Sequence, residues 1–170
     1  MQRLCIVDCR GYALGLQVSG KTITIQAASF TNAGTIEAIN GGVLSIPNGY
    51  TQTAGATRVS GGTINSPAIN LISGTLEGTG TINAAVNSSG IINLNADGTI
   101  AGPLNATGGA WNGQGIVTGL STVGSGTFTI GSGANMTANG GAECHRHWHD
   151  RGGEWNREDH GKRELPLFLE

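Results

Sequence analysis

The sequence predicts an all-β chain wound into a parallel β-helix, a β-solenoid of about six coils. Three observations carry that expectation. A Gly-Thr-Ile tripeptide recurs, the composition is rich in glycine and poor in charge, and short alternating segments are bounded by Gly, Asn or Ser. The tripeptide stands at residues 34–36, 62–64, 80–82 and 98–100, with variants at 74–76 and 126–128 and looser forms at 42–44 and 115–117. Starts at 42, 62, 80, 98 and 115 are separated by 20, 18, 18 and 17 residues. A near-constant interval of this size marks stacked structural repeats.

Composition agrees. The chain has 170 residues, of which 30 are Gly, with 12% charged and 5% aromatic. Average usage is about 25% charged. Hydrophobic residues make up 38% and are mostly aliphatic, which suits a stack of small rungs better than one large core.

Charge divides the chain into three zones. Residues 1–21 hold Cys5 and Cys9 and read as an N-terminal cap or a non-native start. Residues 22–142 are the repeats and contain only Glu37, Arg58, Glu77 and Asp97 as charged residues. Residues 143–170 hold twelve charged residues, all four histidines and two of the three tryptophans.

Within the repeats, Thr22-Ile23-Thr24-Ile25, Val43-Leu44-Ser45-Ile46 and Thr127-Phe128-Thr129-Ile130 alternate with period two, as half-buried strands do. No stretch of ten residues carries helical spacing. A period of 18–20 residues has no room for a crossover helix, but it fits three short strands and three bends. Residues one period apart then lie above one another. Ile64, Ile82 and Ile100 are expected to stack inward, and Thr63, Thr81 and Thr99 outward, because neighbours in a strand face opposite sides. An antiparallel sandwich with similar turn spacing is the competing reading.

Asn-Ala-Gly-Thr-Ile-Glu-Ala at 32–38, Gly-Thr-Leu-Glu-Gly-Thr-Gly-Thr-Ile-Asn at 74–83 and Val-Asn-Ser-Ser-Gly-Ile-Ile-Asn-Leu at 86–94 resemble repeats of bacterial autotransporter passengers. Large surface adhesins of the filamentous-haemagglutinin type share the style. The resemblance spans about residues 20–142 and concerns repeat style. It implies a right-handed β-helix stalk, secreted or displayed on the bacterial surface. Whole family members add a signal peptide and a C-terminal membrane barrel, so the chain reads as a fragment. Implied partners are host or environmental glycans, matrix, or other cell-surface proteins. Membrane attachment would come only through the absent barrel.

The sequence offers little chemistry. The net charge of −2 gives no electrostatic case for nucleic acid. No apolar run approaches the roughly 18 residues of a membrane-spanning helix. The odd cysteine count, Cys5, Cys9 and Cys144, is not a disulfide framework. Glycoside hydrolysis needs two carboxyls about 5–10 Å apart. Glu77 and Asp97 fall on adjacent coils but out of register, so both are read as solvated turn residues. No catalytic, cofactor-binding or metal-binding residue is assigned and no cofactor is expected; the alternative is a polysaccharide-binding or polysaccharide-degrading β-helix protein. A three-residue Thr column is too narrow for ice binding. Asn87-Ser88-Ser89, Asn105-Ala106-Thr107 and Asn135-Met136-Thr137 match the glycosylation sequon, which arises by chance in an Asn- and Thr-rich chain. Tyr50 and Trp111 are expected to pack at coil corners rather than to stack on sugars.

The tail invites a metal site through Cys144, His145, His147 and His149, since thiolate and imidazole are zinc and nickel ligands. An out-of-frame origin explains it better. The codons of Glu143–His149, read one nucleotide later, permit Ser-Val-Thr-Gly-Thr-Gly-Thr, the idiom of the repeats. Histidines would then be displaced threonines. Sequencing the coding DNA is expected to show Gly- and Thr-rich repeats continuing in the shifted frame. Stop codons there, or no repeats, would refute it and leave a genuine charged tail.

Overall fold

The computed structural model describes residues 12–13, 16–124 and 127–144. All eighteen strands among them pair in parallel, and no helix interrupts them. The chain is a β-solenoid, and the antiparallel alternative is excluded. Three ladders of strands form three faces. The first face runs from Tyr12–Ala13 through Thr31–Asn32, Tyr50–Gln52 and residues 69–71, 86–88, 104–106 and 121–123 to Ala142–Cys144. The second runs from Leu16–Ser19 through Thr35–Ile39 to Phe128–Ile130. The third climbs from Thr22–Thr24 to Thr137–Ala138 in six successive pairings, which are six turns. Pairing thus extends past the compositional zone of 22–142 at both ends. The rest of the charged tail, including His145, His147 and His149, lies outside the described residues.

The expected stacks are present. Ile64 pairs with Ile82, and Ile82 with Ile100, and all three are fully buried. The column extends to Leu44 on one side and Val117 on the other, both also buried. Each such aliphatic side chain contributes about 1.5–3 kcal/mol by leaving water. Thr63, Thr81 and Thr99 pair in the adjacent register and lie on the outer side, half-buried. The other faces contribute parallel inner columns. Tyr50, Ile69, Val86 and Leu104 line the first, and Leu76, Ile92 and Trp111 the second.

Glycine sits at the corners for a steric reason. The recurring tripeptides sort into two corner columns. Gly42, Gly62, Gly80, Gly98 and Gly115 each precede a third-face strand. Gly34, Gly55, Gly74 and Gly90 each precede the paired part of a second-face strand, and Gly109 opens the next one. Backbone hydrogen bonds link successive members: the Ile91 amide donates to Gly74 O at 3.0 Å, and the Ile116 amide to Gly98 O at 2.9 Å. Coils this close leave no room for a side chain pointing along the axis. A Cβ on Gly98 would lie 2.6 Å from Gly78 O and 2.9 Å from the Leu94 Cβ.

Gly98→Ala is therefore expected to lower the unfolding free energy by about 2–3 kcal/mol, since overpacking against backbone cannot relax by a rotamer change. Gly108 has ordinary φ and its nearest neighbour would be 3.8 Å away. Gly108→Ala should be neutral or stabilising by up to about 1 kcal/mol. Urea titrations of both variants check the pair; equal effects would refute the corner argument.

Candidate functional site

Outward positions repeat at one residue per coil, so each becomes a column. On the first face Asn70, Asn87 and Asn105 form a ladder. The Nδ2 of Asn87 donates to Asn70 Oδ1 at 2.8 Å, and that of Asn105 to Asn87 Oδ1 at 2.9 Å. On the third face Asn83 Nδ2 donates to Asn65 Oδ1 at 2.7 Å. These amides spend hydrogen-bonding capacity along the axis, at a net gain of about 0.5–1.5 kcal/mol per bond. Two of the three sequon asparagines, Asn87 and Asn105, belong to the ladder.

The second face carries charge. Glu37, Arg58 and Glu77 occupy equivalent outward positions on three successive coils. Arg58 Nε donates to Glu77 Oε1 at 2.5 Å, with the arginine side chain 50% exposed. The hydrogen bond to Glu77, then the charges of Glu77 and Glu37, hold the guanidinium above its ordinary pKa. An ion pair this exposed contributes at most about 1 kcal/mol to stability.

A groove opens beside this pair because coil lengths differ. Gly62 pairs with Gly80 after Ser60 pairs with Thr79, so Gly61 is an extra residue in the lower coil. In the upper coil Leu94 pairs with Gly78 and Thr99 with Thr81, which leaves two more residues in its corner than the coil between has. The short middle corner is thus recessed between two longer ones. Arg58, Ser60, Glu77, Gly78, Asn93 and Asn95 line the recess. Asn93 and Asn95 are exposed, and their side-chain amides have no hydrogen-bond partner among the described residues, although the Asn95 backbone amide donates to Gly78 O at 2.9 Å. A second shallow depression, bordered by Ile72, Gly74, Gly90 and Ile91, lies on the other glycine corner.

The two carboxylates considered from sequence are not brought together. Glu77 pairs with Asn93 one coil on and binds Arg58, whereas Asp97 sits exposed in the longer turn. No group of three metal-ligating side chains occurs among the described residues.

The interior holds a polar cluster that the sequence pattern did not reveal. Asn32, Gln52 and Thr57 are fully buried and Tyr50 nearly so. The Thr57 hydroxyl donates to Gln52 Oε1 and lies 2.9 Å from the Tyr50 hydroxyl; Asn32 Nδ2 reaches Gln52 Oε1 at 3.1 Å. Gln52 Nε2 donates to Thr75 O at 2.9 Å, one coil on. Every polar side chain in the cluster is thereby satisfied, as burial requires. Trp111 is wholly internal rather than at a corner, with Nε1 donating to Gly113 O at 3.0 Å. Tyr50 is likewise internal, with its ring 5.9 Å from that of Phe30.

Burial pushes the Tyr50 phenol well above its ordinary value, against a smaller opposing effect of the Thr57 hydrogen bond. The native state therefore keeps a proton that the unfolded chain loses near pH 10. This contribution is full below pH 10 and falls above it, by up to about 1.4 kcal/mol per pH unit. Denaturant midpoints measured from pH 9 to 11.5 should drop for the wild type and drop less for Tyr50→Phe. Parallel slopes would place the phenol in solvent instead.

Compared with known family models, curated proteins and solved structures, the chain finds no match in any of the three.

Proposed function

We propose that the chain is a length of structural rod from a secreted or surface-displayed bacterial protein of the autotransporter type, and that its outer faces make adhesive contacts. The observation that supports this most is the set of outward columns in which the same short polar side chain returns on successive coils, as Asn70, Asn87 and Asn105 do. Six turns at about 4.8 Å each give a rod about 29 Å long from this stretch alone. Repeated coils bury their aliphatic residues against one another, so length can grow without a larger core. Identical weak polar groups in a row suit many small contacts, which gain strength when several copies engage together. Glycans, matrix proteins and other surface proteins are the partners this reading names.

The second reading, a polysaccharide-binding or polysaccharide-degrading protein, draws on the recess beside Arg58 and Glu77. Its catalytic form needs two carboxyls at working distance across a sugar bond. Glu77 is committed to Arg58, and Asp97 belongs to a different turn.

Beads carrying many copies should adhere to at least one of mucin, collagen, fibronectin or a polysaccharide film, while soluble single copies bind at least 100-fold more weakly. A reducing-sugar assay on the same polysaccharides should stay flat. Turnover that disappears in Glu77→Gln would sink the structural reading in favour of the enzymatic one. Failure of the beads to adhere to any of these surfaces would remove the adhesive part.

A further inference from the structure

The recess on the second face is chemically unlike the rest of the surface. On the first and third faces, Asn70, Asn87 and Asn105, and Asn65 and Asn83, are tied to each other along the axis. Here Asn93 and Asn95 present unengaged amides on one coil, next to the Arg58–Glu77 pair on the two coils before it. Ser60 and Gly78 complete the lining, and no apolar side chain takes part.

That inventory selects a ligand class. Amides, a hydroxyl and an ion pair supply donors and acceptors side by side, which matches adjacent sugar hydroxyls acting as both. A peptide would find no pocket for an apolar side chain. A polyanion meets Glu77 within the recess and Glu37 one coil below Arg58, so the local charge is negative on balance. Its lining residues come from three successive coils, so a ligand of more than one sugar unit can touch all three. From these features we infer that the recess is a binding subsite for a neutral oligosaccharide that contacts three successive coils. It deepens the adhesive reading, on which it rests, by naming one ligand class and one place. No aromatic ring lines the recess, so affinity per chain is weak, on the order of 1 mM, and adhesion would rely on repetition.

The test uses the full 170-residue chain, isotope-labelled, with amide shifts followed by NMR. The probes are hexamers of glucose, mannose and galactose, with a galacturonate hexamer as the charged comparison. At least one neutral hexamer should give saturable shifts at Ser60, Gly78, Asn93 and Asn95. Asn93→Ala with Asn95→Ala should weaken that binding about 10-fold, from two lost hydrogen bonds. Asn105→Ala, on the first face, should leave it unchanged. Spectra of the variants without sugar must overlay the wild type away from the substitutions, which keeps misfolding from passing as lost affinity. No saturable shift with any neutral hexamer overturns the subsite, as does tighter binding of galacturonate. Sugar binding that maps to the Asn70–Asn87–Asn105 ladder overturns the subsite while leaving the adhesive reading standing.

Discussion

The spacing between coils, about 4.8 Å, governs the rest of the molecule. It is fixed by backbone hydrogen bonds that run parallel to the axis at nearly every rung, and these bonds are what a buried or half-buried peptide group demands. Once coils lie this close, each residue sits directly over its counterpart. Two consequences follow for sequence. Positions whose side chains would point along the axis must be glycine, which gives the corner columns. Positions that point in or out must tolerate a copy of themselves next door. Aliphatic residues do so inward, and asparagine and threonine do so outward.

Charge is the residue property that tolerates stacking least. Two like charges one coil apart repel by about 0.9 kcal/mol even at the dielectric of water, and by more near the protein surface. Charge can therefore be sparse, or it can alternate in sign. The described coils do both. The single outward column with three charged residues reads Glu37, Arg58, Glu77, with the arginine between the two carboxylates. Low charge is thus a demand of the geometry and carries no message about partners. The same logic accounts for the interior polar cluster. Asn32 and Gln52 stack in one inner column that continues through Leu71, Ser88 and Ala106, and the two amides are admissible because Asn32 donates to Gln52 and backbone groups take up the rest.

How much of this was legible in the sequence depended on whether period alone determined it. The Ile64–Ile82–Ile100 stack and its threonine partners follow from the interval between tripeptides and the in-out alternation of a strand. The corners were less legible. Gly34-Thr35-Ile36 and Gly62-Thr63-Ile64 look the same in sequence yet stand at different corners. Glycine precedes strands of both the second and the third face for the same steric reason, so the motif cannot say which of the two it opens. Tyr50, Gln52 and Thr57 were illegible as a cluster because their contact depends on where the first face turns into the second. The recess was hidden for a related cause. It results from unequal corner lengths, one extra residue at Gly61 and two more between Leu94 and Thr99, and insertions of this size show only after the register is known.

The same point decides where recognition belongs on such a fold. A regular solenoid face directs its hydrogen-bonding groups along the axis, toward the next coil. The asparagine ladder is stable for that reason, and each of its amides keeps only part of its hydrogen-bonding capacity for a ligand, which suits weak repeated contacts rather than one specific site. An irregular corner breaks the register, so its side chains lose their neighbours above and below. Asn95 lies in the longer corner, past the paired stretch that ends at Leu94, and Asn93 stands over Glu77, whose carboxylate is bound to Arg58. The flaw in the repeat is what releases polar groups to face outward. In a protein whose stability comes from sameness between coils, chemistry specific to one place has to come from the coil that differs.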